Sequence, residues 1–182
     1  YTEWQSMPYK VKSQYDEFER IKMMAANAGI SKCIVNDALT MHNKISKEKT
    51  FRAQNRHGII AASLYISCKK NKYPRTAKEI AQIFNLDKSS ATRGCKNANL
   101  ILNKLERNLE GENKTSMCHI KPITFIDRYC SRLNLNAELT KLCQFIAIQI
   151  EKNKHIPEDT PHSIDTGIIY FTSKICNLNI SK

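Results

Sequence analysis

The sequence predicts an all-α protein built from two tandem copies of one helical bundle. Apolar residues recur at spacings of three, four and seven, which is typical of amphipathic helices. The 182-residue chain also matches itself at an offset of 105 residues, without gaps from Ile21 to Tyr65, and apolar residues fall on apolar residues. The matched pairs include Ile21 with Ile126, Ala38 with Cys143, Ile59 with Ile164 and Tyr65 with Tyr170. One register held across three helices indicates an internal repeat.

The first copy is predicted to contain five helices, because caps and turns divide it into five segments with apolar periodicity. We expect Gly29 to end the first helix in a left-handed conformation and Ser31 to cap the second. The third segment is the most apolar, and small residues such as Gly58 predict that it is central. Thr76, with Glu79 three residues later, predicts a capping box on the fourth helix. The predicted bounds are about Ser13–Asn27, Ser31–Ser46, Asn55–Lys70, Thr76–Phe84, and from Asp87 or Ser89 to Asn108.

Only three helices are predicted in the second copy, at Pro122–Leu133, Asn136–Asn153 and Pro161–Cys176. Proline at the first position of two of them is typical of a helix start. Because Lys182 aligns with Ala77, the fourth and fifth helices of this copy are absent, and the second repeat is truncated after its third helix. Residues 110–121 are polar without apolar periodicity and are interpreted as a linker. The predicted domains are therefore a first repeat at 1–109 and an incomplete second repeat at 122–182.

Positive charge is concentrated in the first repeat. The chain has a net charge of +12. Residues 44–96 hold thirteen lysines and arginines and three acidic residues, so +10 lies in this segment and +2 on the other 129 residues. An even spread of lysines would indicate only a soluble surface. A concentrated charge favours a polyanion such as nucleic acid, because each neutralised phosphate releases counterions.

Other classes of protein are disfavoured. No run approaches the roughly 18 apolar residues that cross a membrane, and the first ten residues lack the apolar core of a secretory signal, so we expect a soluble intracellular protein. The seven cysteines lie at least 12 positions apart, which disfavours a structural zinc site, and most are interpreted as reduced core residues. The five histidines are scattered and no catalytic motif or glycine-rich phosphate loop is found, so an enzyme is not expected. The first residue is Tyr1, and we expect the sequence to be part of a longer protein.

Four stretches carry a family resemblance, the last of them Pro161–Ser173, which resembles the third helix of the family's second repeat. The run from Arg56 to Ile80, RHGIIAASLYISCKKNKYPRTAKEI, joins an alanine-rich helix, a Pro-Arg-Thr turn and Lys-Glu-Ile. The stretch LDKSSATRGCK at Leu86–Lys96 follows it, and FIDRYCSRLNL at Phe125–Leu135 opens the second copy. Together these resemble the core of transcription factor IIB, which consists of two five-helix cyclin-like repeats. The resemblance covers about residues 15–182.

The resemblance implies a general transcription initiation factor that bridges TATA-binding protein, promoter DNA and RNA polymerase. It also implies a monomer without a cofactor or metal in this stretch, and a zinc ribbon upstream of it. The sequence departs from the family in its glycine-poor linkers and at Asp159-Thr160-Pro161, where the family has Arg-Ser-Pro. The Lys, Asn and Ile bias resembles homologues from large cytoplasmic DNA viruses, such as African swine fever virus. A viral protein would act in the host cytoplasm, and a cellular one in the nucleus.

In this family the fourth and fifth helices of a repeat form a helix-turn-helix-like pair, which here corresponds to Thr76–Phe84 and Asp87–Asn108. Lys88, Arg93 and Lys96 lie on the first two turns of the fifth helix, and the last two share a face. A helix start with free N–H groups and nearby cations favours a phosphate. We therefore predict that these three residues bind DNA. The alternative is a solvated helix face.

Five further cations are candidates for the same DNA surface. Arg75 and Lys78 flank the Thr76 cap and could reach the same phosphate, or could serve only the turn. The other three end the third helix, where a cation also favours the negative end of the helix dipole. These three residues are Lys69, Lys70 and Lys72.

Arg52 and Arg56 precede the third helix and are weaker candidates. Either side chain could form an ion pair with Asp37 or Glu48 instead. The contacts implied for the first repeat are mostly to phosphates, which position a protein without reading bases. The sequence therefore predicts weak DNA binding with little specificity.

Three other hypotheses stay open. A cyclin proper, which activates a kinase, has the same helical repeat but no need for the +10 segment or the Pro-Arg-Thr turn. A factor IIB relative that serves another polymerase class would be hardly distinguishable in these residues. An unrelated helix-turn-helix DNA-binding protein would lack the repeat at 105.

Overall fold

The computed structural model describes residues 5–107, 120–153 and 160–178, which are mostly α-helical and contain no strand. The chain divides into two compact units, 1–118 (unit 1) and 119–182 (unit 2). Unit 1 contains α1 (Tyr9–Asn27), α2 (Lys32–Glu48), α3 (Ala53–Lys70), α4 (Ala77–Ile83) and α5 (Lys88–Leu105). Unit 2 contains a 3-10 turn (Pro122–Thr124), α6 (Ile126–Arg132), α7 (Ala137–Asn153) and α8 (Pro161–Ile175). The all-α prediction is confirmed.

In unit 1, α3 is the central helix, as predicted. It packs against the other four helices of the unit, and ten of its residues between Gly58 and Cys68 are buried. Two apolar clusters include its side chains. The first joins it to α1, α2 and α4 through Ile21, Ala38, Leu64, Ile80 and Phe84. The second joins it to α2 and α5 through Met41, Ile45, Ile59, Ala98 and Leu102.

The backbones of α3 and α5 touch where Gly58 faces Gly94. A Cβ atom added to Gly94 would overlap the carbonyl group of Gly58 and lie 2.7 Å from its Cα. A Cβ atom added to Gly58 would lie 2.8 Å from the carbonyl oxygen of Ser90. Because these neighbours are backbone atoms, no rotamer change can make room. Two glycines therefore hold the first turns of α5 directly against the central helix.

The backbone at the helix ends confirms the internal repeat. α1 and α6 stop at left-handed residues 105 positions apart, Gly29 with φ 66° and Asn134 with φ 52°. α3 and α8 stop at another such pair, Lys72 with φ 63° and Asn177 with φ 53°. In all four cases the next backbone N–H bonds to the carbonyl five residues earlier, at 2.8–3.0 Å. This is the Schellman stop, and it recurs at the register that the sequence predicts.

Lys72 is the strained residue among these stops. The left-handed conformation costs a residue with a Cβ about 1–2 kcal/mol, and glycine or asparagine occupies the equivalent positions in the other Schellman stops. We expect Lys72→Gly to raise the free energy of unfolding by about 1 kcal/mol, even though glycine frees the unfolded chain. Urea unfolding followed by circular dichroism measures the change. Lys44→Gly inside α2 is the control and should lose about 1 kcal/mol, while a destabilised Lys72→Gly variant would contradict the assignment of strain.

Three helix starts differ from the predictions. α1 begins at Tyr9, four residues earlier than predicted, because Pro8 supplies a φ of −56° that suits a helix start. Ser31 occupies the N-cap of α2, but its side chain forms no capping hydrogen bond. The helix predicted from Pro122 begins instead as a 3-10 turn, because the Thr124 N–H bonds to the Lys121 carbonyl at 3.0 Å. The α-helical part begins only at Ile126.

The cysteine interpretation is correct for four of the six cysteines that the structure describes. Cys68, Cys95, Cys130 and Cys143 are buried free thiols, whereas Cys33 and Cys176 are exposed. The exposed pair lies in the first turn of α2 and just after α8, where the helix surface faces solvent. Most of the predicted linker 110–121 lies outside the described residues. Across 5–107, 120–153 and 160–178, no helix is both long and apolar enough to cross a membrane.

Candidate nucleic-acid interface

α4 and α5 form the helix-turn-helix-like pair at the predicted place in unit 1. The Thr76 hydroxyl accepts a hydrogen bond from the Glu79 N–H at 3.1 Å, and the Glu79 carboxylate accepts one from the Thr76 N–H at 2.8 Å. The predicted capping box is therefore confirmed. Asn85, with φ 52°, ends α4 and turns the chain into α5. The short turn and the glycine contact with α3 together set the direction of α5.

The three principal predicted residues lie together in one cleft at the start of α5. Lys88, Arg93 and Lys96 line this cleft of about 560 Å³ with Ser89 and Thr92. The three cations are exposed. The Thr92 hydroxyl donates to the Lys88 carbonyl at 2.8 Å, so this side chain lies back along the helix. The arrangement presents three positive charges over two helical turns, which suits a phosphate group.

The start of α5 already holds a carboxylate, which competes with a phosphate for the backbone N–H groups of the first turn. Asp87 is the N-cap, and its carboxylate accepts hydrogen bonds from the Ser90 N–H at 2.8 Å and from the Ser89 hydroxyl. The hydrogen bonds from Ser89 and then Ser90 hold the pKa of Asp87 well below its ordinary value. A fixed negative charge therefore occupies the helix end. An anion in the cleft therefore gains most from the side-chain cations, which are exposed.

The remaining predicted cations do not line the cleft. Lys70 lies 3.5 Å from the Asp37 carboxylate. The Arg75 guanidinium lies 3.9 Å from the Glu79 carboxylate, with 17% of its side chain exposed, so it is part of the α4 turn. Two others, Lys72 and Lys78, are exposed, and Lys69 is half-buried. DNA contact by these five residues stays a prediction.

Arg56 has a different partner from the predicted Asp37 or Glu48. It lies on the first turn of α3 and donates to Glu17 and Ser13 of α1, while Arg52 is exposed at the N-cap of α3. The Glu17 carboxylate also lies 2.8 Å from Nε2 of buried His42, within hydrogen-bond distance. Burial raises the pKa of Glu17, but the hydrogen bonds from His42 and Arg56 outweigh it and keep the pKa below its ordinary value. The network joins α1, α2 and α3 and serves the core of unit 1.

Unit 2 has an open apolar groove between α7 and α8. It has a volume of about 360 Å³ and is lined by Ile146, Ile150, Ser163, Ile164, Gly167, Ile168 and Phe171. The residues 105 positions earlier than Ile146, Ile150 and Ile164 are Met41, Ile45 and Ile59, which pack in the cluster that holds α5 in unit 1. The groove of unit 2 therefore corresponds to the surface on which α5 packs in unit 1. It explains why Phe171 is exposed in unit 2.

Comparisons with known proteins give a family for this chain. Residues 10–98 match the family model of the transcription factor TFIIB repeat. A transcription initiation factor IIB-like protein of Acanthamoeba polyphaga mimivirus is 32% identical over 98% of this chain and 41% of its own length. Transcription initiation factor IIB is 30% identical in Oryza sativa subsp. japonica, over 87% of this chain and 49% of that protein, and 26% in Homo sapiens, over 96% and 52%. A chain in the crystal structure of the yeast RNA Pol II CTD kinase CTDK-1 complex aligns with 97% of this chain and 59% of its own, at 12% identity and a TM-score of 0.46.

The fold and the matched family model define an all-α protein that contains the transcription factor TFIIB repeat. The chain belongs to the transcription factor IIB family, as the resemblance predicted. It spans about two fifths to one half of the length of the relatives named above. A viral relative is among them, while an origin in African swine fever virus stays a prediction.

Proposed function

We propose that this chain is the core of a transcription initiation factor that holds promoter DNA through unit 1. The observation that carries the proposal is the open cleft along the first turns of α5, where Lys88, Arg93 and Lys96 lie together and are exposed. The cleft lies within the +10 segment, so the wider field of the unit also attracts a polyanion. Family membership supports the same role.

The cleft suits a phosphate better than a base. Its charged groups are lysine and arginine side chains, and the neighbouring Asp87 carboxylate is held at the helix cap. Contacts of this kind position a protein on a duplex and carry no sequence information. The rigid contact between Gly58 and Gly94 presents these cations without rearrangement. Binding should therefore be weak, salt-dependent and nearly independent of sequence.

The first test removes two cations from the cleft. We expect the double variant Lys88→Ala with Arg93→Ala to flatten the plot of log K against log[salt] by about two phosphate contacts, or about 1.8 in slope. The affinity should fall to a similar extent on different duplex sequences. Fluorescence anisotropy with a labelled duplex, measured between low and physiological salt, gives both values.

The matched control removes the same charge from another exposed face. Lys44→Ala with Lys47→Ala changes two lysines of α2 that lie outside the cleft. This control lowers the overall positive charge of unit 1 but should keep most of the slope of log K against log[salt]. An unchanged slope in the cleft variant, or an equal loss in both variants, would remove the cleft from the DNA surface.

We further infer that the chain contacts TATA-binding protein and RNA polymerase, because its relatives carry the name of transcription initiation factor IIB. A gel-shift assay with TATA-binding protein on a TATA duplex tests the first contact. We expect the chain to retard this complex further and to retard the duplex alone only weakly. Capture of a cyclin-dependent kinase without any shift of the TATA complex would favour the cyclin hypothesis instead.

A further inference from the structure

Within residues 5–107, 120–153 and 160–178, five helices end in the same Schellman stop, which allows the residues that follow them to be compared. In this stop the second residue after the cap is normally apolar and packs back onto the last turn of its helix. These residues are Ile30, Tyr73, Leu86, Leu135 and Leu178. The four aliphatic ones are half-buried, and three of them pack against the apolar clusters.

Tyr73 departs from this pattern. Its backbone forms the stop, with its N–H bonded to the Cys68 carbonyl at 3.0 Å, but 69% of the residue is exposed. Pro74, the next residue, is buried, so the chain itself turns into the core directly after the ring. The local backbone thus fixes the position of Tyr73 while its side chain stays in solvent. An aliphatic residue would satisfy the stop better, so the exposed ring has no role in the stop itself.

Tyr73 lies among cations in the sequence, with Lys69, Lys70 and Lys72 before it and Arg75 two residues after it. Two of these cations are also paired, Lys70 with Asp37 and Arg75 with Glu79, while Lys72 beside the ring is exposed. Surfaces that bind exposed nucleic-acid bases combine aromatic rings with cations, since the ring takes the face of a base and the cations take the backbone. The +10 segment contains Tyr73. The ring is therefore placed as such a stacking group would be.

We propose that Tyr73 stacks on an unpaired DNA base, as a second contact in addition to the phosphate cleft of α5. The proposal rests on the proposed function, because it requires that unit 1 binds DNA. Stacking needs an exposed base face, so the preferred ligand is a duplex that contains a short unpaired stretch. The contact is sequence-tolerant because every base has a π-face.

The test compares Tyr73→Leu with the intact chain on two probes, a paired duplex and the same duplex with a few central mismatches. Leucine occupies this position in three of the other stops, so this variant should fold at least as well. We expect the intact chain to prefer the mismatched probe, and Tyr73→Leu to lose about tenfold in affinity for it. Affinity for the paired duplex and the salt dependence should both stay unchanged, because no charge is removed.

A base analogue gives a direct readout of stacking. 2-Aminopurine in the unpaired stretch should be quenched when the intact chain binds, and Tyr73→Trp should preserve the quenching and the affinity. Equal affinities of the intact chain and Tyr73→Leu for the mismatched probe would overturn the proposal. So would a tenfold loss on both probes alike, since that loss would not depend on an unpaired base. Failure of the intact chain to bind either probe would instead contradict the proposed function.

Discussion

Replacing Gly94 by alanine is expected to lower the free energy of unfolding of unit 1 by about 3 kcal/mol or more. The added methyl group would overlap the carbonyl carbon and oxygen of Gly58 and lie 2.7 Å from its Cα. Side chains can change rotamer to admit a methyl group, but these neighbours are the backbone of the central helix. The overlap can be relieved only if α5 moves away from α3. That movement would open the cluster that contains Ile59, Ala98 and Leu102.

The control is the same substitution at Gly167, inside α8. Nothing lies within 4 Å of a Cβ built at this position, and alanine favours a helix interior over glycine by about 0.5–1 kcal/mol. Gly167→Ala should therefore be neutral or slightly stabilising. Calorimetry measures the stability of the two variants, and hydrogen exchange of the α3 and α5 amides measures how readily these helices open. A Gly94→Ala variant as stable as the parent chain would show that the two helices are not in contact.

The same variant links the core to the candidate interface. Lys88, Arg93 and Lys96 lie on the turns of α5 that flank or adjoin Gly94. A displaced α5 would carry all three cations away from their present positions relative to α4. Since the residues that line the cleft all belong to α5, they should move together, and a change in the DNA affinity of folded Gly94→Ala would report the orientation of α5 rather than a change within the cleft.

The features of this fold that the sequence predicts are those formed by residues close together in the chain. The capping box at Thr76 and the stop at Gly29 involve residues within a few positions of each other, and both are found as predicted. The central place of α3 follows from its small and apolar residues. The repeat at 105 is visible because the same core positions must be apolar in both units. These features depend on spacing along one helix, which sequence periodicity reports directly.

Contacts between distant residues explain most of what the sequence did not predict. Arg56 pairs with Glu17, 39 positions away, and no local pattern favours that carboxylate over Asp37 or Glu48. The occupied start of α5 was predictable, because Asp followed by two serines is a common helix cap. The exposure of Tyr73 follows from how its ring sits on the folded unit, so the periodicity of α3 carries no sign of it.

Asp165 is another residue whose environment only the fold reveals. It is 0% exposed in α8, at the position equivalent to buried Ile60 of unit 1. Neither carboxylate oxygen has a hydrogen-bond partner of ordinary geometry in the described parts of the chain. Burial raises the pKa of Asp165 from 3.8 to about 7, although the backbone N–H of Phe125 acts in the opposite direction. The folded unit therefore holds the carboxyl group in its neutral form under mildly acidic conditions.

The raised pKa predicts that unit 2 loses stability as the pH rises. Below about pH 4 the group is protonated in both states and its ionisation costs nothing. Between about pH 4 and 7 the unfolded chain releases the proton while the folded unit keeps it, so the free energy of unfolding falls with pH. The total fall is about 4 kcal/mol, after which the stability is level. Asp165→Asn should abolish this fall and be the more stable form at pH 8 by about 3 kcal/mol.

Urea unfolding at pH 5 and pH 8, with pulse-labelling hydrogen exchange on the α6–α8 peptides, measures this effect in unit 2 alone. Asp127→Asn is the matched control, because Asp127 is an exposed acid of the same unit, and it should leave the fall with pH in place. Hydrogen exchange of the α1–α3 peptides should not show this loss of stability at higher pH, since the pKa of Glu17 is lowered rather than raised. A carboxyl group whose pKa is lower in the folded state stabilises that state at pH values above its ordinary pKa, and this stabilisation is lost as the pH falls. Acid rather than base therefore weakens the Glu17 network. Equal stability of unit 2 at the two pH values would show that the Asp165 carboxylate is paired or hydrated rather than buried without a partner.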